Sequence, residues 1–180
     1  MLYSTIGYYS LILGLGVSLL IIFFSVKNFQ NSKTISVNIL SFTFLQFFLV
    51  VVSFLSLIIS FVLSDFSNET VFNNSHTTKP FFYKIAGTWG NHEGSLLLWL
   101  LVLTLFIFIF ILKTKNQPIK YKLLTLIFQQ IIIIGFFLFL IETSNPFNYL
   151  FPIPVEGLGL NPILQDPALA IHPPLLYLGY

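Results

Sequence analysis

The chain has 180 residues, of which only 8% are charged and 56% are hydrophobic, and its mean hydropathy is +0.91. A soluble domain typically carries about 25% charged residues, and a globule of this length could not cover so much apolar surface. The chain has no cysteine, which excludes disulfides, thiolate metal sites and a thiol nucleophile. Its net charge is only +2, which provides no dense basic stripe for a nucleic acid. The composition therefore predicts an integral membrane protein that does not bind nucleic acid.

Four apolar stretches are long enough for membrane helices, which need about 20 residues. They cover residues 6–26, 39–63, 95–112 and 123–141. We therefore predict an all-α polytopic fold with four transmembrane helices and an outer-face loop that contains a short helix. The polar exceptions within these stretches are Gln46, Gln129 and Gln130, which we expect to form hydrogen bonds between helices. No charged residue lies well inside a span, which argues against a pump or a transporter with a polar path.

The lysines indicate which way the helices point. Two short connections that contain no acidic residue hold six of the eight lysines, namely Lys27, Lys33, Lys113, Lys115, Lys120 and Lys122. Lysine-rich connections face the cytoplasm or the matrix. We therefore expect the N-terminus and residues 64–94 and 142–180 to lie on the outer side of the membrane.

This topology divides the chain into two regions. Residues 1–142 form a predicted bundle of four spans with the outer loop 64–94, and residues 143–180 form an outer segment that leads into an incomplete fifth span. A helix starting at Pro174 would have seven residues by Tyr180, too few to cross a hydrocarbon core of about 30 Å. We therefore expect either a longer gene product or a separate partner that packs against this end.

The first outer segment contains the sequence G-T-W-G-N-H-E-G-S-L-L-L-W over residues 87–99. Trp89 and Trp99 flank it, and two interpretations remain open. They could form an interfacial aromatic belt, with Ser95 as an unremarkable N-cap of the third span. Alternatively, the glycines could let the backbone approach another group closely, with His92 and Glu93 next to it.

The second outer segment contains L-N-P-I-L-Q-D-P-A-L-A-I-H-P-P-L-L-Y over residues 160–177. Asp166 and Pro167 are typical of an N-cap and first helical position. Pro173 disfavours helix at the residue before it, so we expect this helix to end near His172 and a second helix to begin at Pro174. His172 could then cap a helix, form an interfacial hydrogen bond, or serve as a metal or haem ligand.

Taken together, the two motifs resemble those of the cytochrome c maturation protein CcmF family. The sequences T-S-N-P-F at 143–147 and P-V-E-G at 154–157 are also similar to that family. The resemblance extends over essentially the whole chain, as the N-terminal portion of that family. It implies a polytopic protein that receives haem from the chaperone CcmE on the outer face and attaches it to apocytochrome c. It also implies that His172 is one axial ligand of the haem iron.

Other residues of the two motifs are candidates for the haem pocket by the same resemblance. They are Trp89, His92, Glu93, Trp99, Pro173 and Tyr177. The Trp-rich motif W-G-x-W-W-x-W-D of the family, its second outer histidine and its two membrane-embedded histidines do not occur in this chain. The resemblance therefore implies a b-type haem in transit, with resident haem and catalysis not completed by this chain alone.

The implied partners are the lipid bilayer, the remaining part of CcmF, the chaperone CcmE, a CcmH-type thioreduction partner and apocytochrome c. The 22 phenylalanines and the absence of arginine are typical of an AT-rich genome. We therefore expect the mitochondrial inner membrane, or alternatively a bacterial plasma membrane, with His172 facing the intermembrane space or periplasm. A competing hypothesis is a structural subunit of a respiratory complex without chemistry of its own.

Overall fold

The computed structural model describes residues 1–31, 37–114 and 116–179. Its helices are α1 (Leu2–Asn31), α2 (Val37–Val62), α3 (Glu69–Asn74), α4 (Phe81–Gly87), α5 (His92–Lys113), α6 (Ile119–Glu142) and α7 (Pro167–Gly179), with a 3-10 turn at Pro162–Gln165. Within these residues the only β-type pairing is an isolated bridge between Asn68 and Tyr149. The prediction of an all-α fold is confirmed. Lys33 and Lys115 of the lysine-rich connections and Tyr180 at the end of the predicted fifth span lie outside the described residues.

Four of the described helices are long and apolar enough to cross a membrane, by length and composition. The qualifying stretches are Leu2–Phe29, Ile39–Val62, His92–Lys113 and Ile119–Glu142. The predicted number of spans is therefore confirmed. Helices α5 and α6 both begin earlier than the apolar runs that predicted them. The reason is that Asn91 and Pro118 set their first turns, and these turns are more polar than the spans that follow.

The four long helices form a closed bundle. Helix α1 packs against α2 and α6, and α5 packs against the other faces of α2 and α6. The interior is filled by fully buried aliphatic and aromatic side chains, including Leu11, Ile21, Leu57, Phe61, Leu97, Leu100, Ile107, Leu126, Ile133 and Phe137. Large apolar side chains such as Phe23 and Phe128 also lie on the outer surface of the bundle. A bundle that is apolar inside and outside is suited to lipid surroundings.

A polar clamp crosses the centre of this bundle. The side-chain amides of Gln46 on α2 and Gln130 on α6 exchange two hydrogen bonds, each 2.9 Å long. Gln46 also donates to the Ser18 hydroxyl on α1, at 2.5 Å. The predicted hydrogen bonds between helices are thus confirmed for these two glutamines. Gln129 differs, because its Oε1 is buried without a hydrogen-bond partner among the described residues.

The two outer segments meet at one end of the bundle. The buried side chain of Asn68 donates to the Ser4 hydroxyl of α1 at 3.1 Å and to the Pro146 carbonyl at 2.9 Å. Further along, the Leu158 N–H donates to the Phe72 carbonyl at 2.8 Å. These bonds place the start of α1 and both outer segments together, as the predicted topology requires.

A carboxylate strengthens this junction between the outer segments. The hydroxyl and the backbone N–H of Thr77 both donate to Glu156, the N–H at 3.0 Å. The Thr77 hydroxyl, with further help from the N–H groups of Thr77 and Gly157 and from the nearby His76 ring, lowers the pKa of Glu156 to about 2. Glu156 therefore carries its charge at any physiological pH, and its bonds to Thr77 hold the second outer segment against the first.

Candidate functional site

The turn between α4 and α5 is organised by one side chain, Asn91. Its Oδ1 accepts the Gly94 N–H at 2.7 Å, and its Nδ2 donates to the Gly87 carbonyl at 2.7 Å. Asn91 is therefore the N-cap of α5, and the interpretation that gave this role to Ser95 is wrong. The Ser95 hydroxyl instead donates to the His92 carbonyl within the first turn, at 2.9 Å. Asparagine is as good an N-cap as serine, so the helix begins at the earlier of the two.

Gly94 is required by the close approach of this turn to its own helix. A Cβ atom added at Gly94 would lie 1.6 Å from the Thr88 carbonyl oxygen. The close backbone approach that the glycine-rich sequence indicated is therefore present. However, at Gly94 the group approached is the turn itself rather than a ligand. The consequence is a rigid turn that holds Trp89 in a fixed place between α4 and α5.

Helix α7 begins as predicted but does not end as predicted. The Asp166 carboxylate accepts the N–H groups of Ala168 and Leu169 at 2.8 and 3.1 Å, which confirms Asp166 as the N-cap. The helix then continues through Pro173 and Pro174 to Gly179. The prediction of a break near His172 is therefore wrong, and His172 lies in the middle of one continuous helix. Packing against α4 and α5 supports this helix where its own hydrogen bonds are interrupted.

Both tryptophans contact this helix. The Trp89 indole Nε1 donates to the Ala170 carbonyl at 2.7 Å. The Trp99 ring stacks on Tyr177, with 5.6 Å between ring centroids and 20° between ring planes. Trp99 also packs edge to face against Phe136, at 5.0 Å. The two tryptophans thus hold α7 at points two helical turns apart, so each has a contact within the protein in addition to any role at the membrane interface.

An open depression of about 330 Å³ lies between α7 and the start of α5. It is lined by Trp89, Gly90, Asn91, His92, Ser95, Pro173 and Tyr177. The structure therefore brings together four of the site residues predicted from the sequence, and Trp99 lies next to them through its stacking on Tyr177. Glu93 does not line the depression and is half-buried in the first turn of α5.

His172 lies elsewhere, on the exposed face of α7. Residues of an α-helix are about 100° apart, so His172 is turned about 160° from buried Ala170 and about 140° from Tyr177. Its neighbours one turn away are exposed leucines, namely Leu169 (45% exposed), Leu175 (63%) and Leu176 (39%). Within the described residues, His172 makes no hydrogen bond, ion pair or ring contact. The structure thus presents an imidazole, unpartnered by those residues, at the centre of an apolar helix face.

The region that contains these features matches a known family. The family model described as "Cytochrome C assembly protein" matches residues 89–180, or 92 of the 180 residues. The chain belongs to this family. The matched region begins at Trp89 and includes α5, α6 and α7, so it contains the depression and the exposed face of α7.

Relatives of the cytochrome c assembly family extend the similarity over the rest of the chain. The chain is 43% identical over 176 residues to the cytochrome c-type biogenesis protein CycK of Bradyrhizobium diazoefficiens, covering 97% of this chain and 26% of that protein. It is 39% identical over 179 residues to the cytochrome c-type biogenesis protein CcmF of Haemophilus influenzae, covering 98% of this chain and 28% of that protein. The resemblance to CcmF is therefore confirmed, and the chain spans about a quarter of the length of these relatives.

A solved structure supports the same fold. The structure named "Cytochrome c Heme Lyase CcmF" superposes with a TM-score of 0.81 at 25% sequence identity. The alignment covers 98% of this chain and 28% of that one. The chain therefore has the same fold as about a quarter of that structure.

Two features of this family member were not predicted from its sequence. One is the cap at Asn91, which the acidic residue of the following turn could have indicated. The other is an apolar groove of about 370 Å³ between the outer halves of α5 and α6, lined by Leu96, Ile132, Gly135, Phe136 and Phe139. The His92 ring packs edge to face against Phe139 at 6.2 Å, so the groove adjoins the depression. Only the packing of two helices creates such a groove, and a single sequence does not give that packing.

Proposed function

We propose that this chain is the N-terminal part of a CcmF-type haem-handling protein in cytochrome c assembly. In this proposal it helps to accept haem from CcmE and positions it for covalent attachment to apocytochrome c. The observation that carries the proposal is the exposed His172, which has no partner among the described residues. Membership of the cytochrome c assembly family supports a role in that process. The imidazole of His172 supports the specific role of binding the haem iron.

The surroundings of His172 fit a haem. Porphyrin nitrogens supply the equatorial ligands of haem iron, so this chain needs to contribute only one axial imidazole nitrogen. The exposed side chains of Leu169, Leu175 and Leu176 flank His172 and offer apolar contact to a flat macrocycle. The bound haem would bring the iron to which His172 binds. The residues of this chain would provide the axial nitrogen and exclude water from one side.

The remaining predicted site residues have supporting roles in this proposal. His92 is exposed at the rim of the depression, on a different side of α7 from His172, so we assign it to shaping the outer site. Glu93 carries a charge of the same sign as a propionate when ionised, so we assign it to shaping the site rather than to binding. Trp89 lines the depression on the side of the turn before α5. Pro173 and Tyr177 line it on the side of α7, the helix that also carries His172.

The proposal also includes partners and a location. The remaining part of CcmF supplies the second axial ligand, and a CcmH-type partner delivers apocytochrome c with reduced thiols. The membrane is the mitochondrial inner membrane or a bacterial plasma membrane, with His172 on the outer side. In support, α5 extends from His92 near the site to Lys113 at the opposite end of the bundle, where the predicted inward-facing lysines lie.

Substitution of His172 tests the proposal. His172→Ala in the complete maturation system should reduce covalent haem attachment to cytochrome c to background, since the axial nitrogen is lost while the helix is retained. The matched control is His76→Ala, which removes another histidine of the outer segments that is distant in sequence from α7. Haem staining of cytochrome c, normalised to the membrane level of the variant, measures both. Unchanged haem attachment in His172→Ala at a normal protein level would refute the ligand role and leave a purely structural subunit.

A further inference from the structure

The two adjacent prolines of α7 remove two of its backbone donors. In an α-helix each N–H donates to the carbonyl four residues earlier, and proline has no N–H. Pro173 therefore cannot donate to the Leu169 carbonyl, and Pro174 cannot donate to the Ala170 carbonyl. Both missing hydrogen bonds would span His172. The helix therefore lacks two of its own hydrogen bonds around the residue whose orientation matters for the proposed ligand.

A side chain from another element replaces one of these donors. The Trp89 indole Nε1 donates to the Ala170 carbonyl at 2.7 Å. Ala170 is only 2% exposed, so water has little access to this carbonyl. Buried carbonyls need a donor, and the indole N–H is a donor only. Trp89 and Pro174 are therefore complementary, because the tryptophan supplies what the proline lacks.

The residue that supplies this donor is itself fixed. The N–H of Gly90, next to Trp89, donates to the Ala86 carbonyl at 3.0 Å, which continues the end of α4. On the other side, Asn91 bonds both to Gly87 and to the first turn of α5. Trp89 thus projects from a hydrogen-bonded junction of two helices, and its bond reaches α7 at the buried Ala170.

We propose that Trp89 is a positioning residue for His172. Its indole N–H takes the place of the helical donor that Pro174 lacks, and this bond turns the Ala170 face inward and the His172 face outward. The inference rests on the proposed role of His172 as a haem ligand. It adds a residue that acts through the helix without contacting the haem.

Substitutions can remove this donor and restore it from the backbone. Trp89→Phe removes the N–H and keeps an aromatic ring. Pro174→Ala returns a backbone N–H four residues after Ala170, so it should rescue Trp89→Phe. Pro173→Ala is the matched control, because it returns a donor to the Leu169 carbonyl and not to Ala170.

Two measurements on the full chain in nanodiscs distinguish these variants. The first is hydrogen–deuterium exchange of the backbone amides of residues 168–172. The second is binding of ferric haem, followed by the Soret band of the histidine-ligated form, with His172→Ala as the reference for a lost ligand. Trp89→Phe should speed exchange and weaken haem binding by about tenfold each, the effect expected for one buried hydrogen bond. Trp89→Phe with Pro174→Ala should return both to within about twofold of the wild type.

Each outcome bears on the proposal. It is overturned if Trp89→Phe behaves as the wild type, or if Pro173→Ala rescues as well as Pro174→Ala. If Trp89→Phe does not accumulate in the membrane, selective recovery by Pro174→Ala supports the proposal and recovery by neither proline variant overturns it. If the wild type binds haem no better than His172→Ala while exchange follows the expected pattern, the ligand role fails and the bond between Trp89 and α7 stands.

Discussion

Gly94 shows how one residue can be required for a site without contacting any ligand. Alanine there would place a Cβ atom 1.6 Å from the Thr88 carbonyl oxygen, a backbone atom that cannot move without opening the turn. We expect Gly94→Ala to destabilise the protein by about 2–4 kcal/mol, the range for a severe steric conflict. Thermal unfolding in detergent would measure the loss of stability. We also expect the contact between Trp89 and α7 to be weaker in this variant.

Gly135 on α6 provides the control for this substitution. A Cβ atom there has nothing within 4 Å. Gly135→Ala should therefore be neutral or stabilise the helix by up to about 1 kcal/mol, because alanine is the better helix former. Equal unfolding temperatures for the two variants would show that the turn at Thr88 moves enough to accommodate a Cβ atom at Gly94.

The sequence motif identifies His172 as a candidate residue, but it does not give the direction in which the side chain points. The same two motifs also contain the candidate pocket residues. In the structure, Pro173 and Tyr177 line the depression while His172 faces away from it. The direction depends on the helix continuing through Pro173. It also depends on which face of α7 packs against the rest of the protein, where Trp89, distant in the sequence, bonds to the Ala170 carbonyl.

At the scale of helices, the clamp between Gln46 and Gln130 makes a measurable prediction. Each amide satisfies the other, so removing one leaves a buried polar group unpaired in an apolar interior. Gln46→Leu or Gln130→Leu alone should each destabilise the bundle by about 1–2 kcal/mol. The double variant should lose less than the sum, since no amide is then left unpaired. Unfolding by a denaturing detergent in a double-mutant cycle would measure this coupling, and strictly additive losses would contradict it.

The four spans could be predicted because a membrane helix depends on a local property, about 20 consecutive apolar residues. The ends of α5 and α7 could not be predicted in the same way. Asn91 and Ser95 are both good caps, and hydropathy does not choose between them. For α7, the local preference of the residue before a proline was outweighed by packing on α4 and α5. Local rules therefore gave the number of spans, and contacts between distant residues determined the geometry of the site.

For the whole molecule, the proposed function requires the site to lie on the outer side of the membrane. The outer segments and the start of α1 share one end of the bundle, and the lysine-rich connections predict that the opposite end faces inward. The chain contains no cysteine, so labelling of a single introduced cysteine shows on which side of the membrane that residue lies. Val155, in the second outer segment, is 97% exposed, and Gln117, between α5 and α6, is also exposed.

We therefore predict that Val155→Cys reacts with a membrane-impermeant maleimide added to the outer side of intact mitoplasts or spheroplasts. Gln117→Cys should react only after the membrane is opened, because it lies beside the lysines of the inward connection. Equal labelling of both variants after membrane disruption is the control for accessibility. The reverse pattern would place His172 on the inner side, away from the compartment in which the proposal requires apocytochrome c to receive haem, and so would refute the proposed function along with the topology.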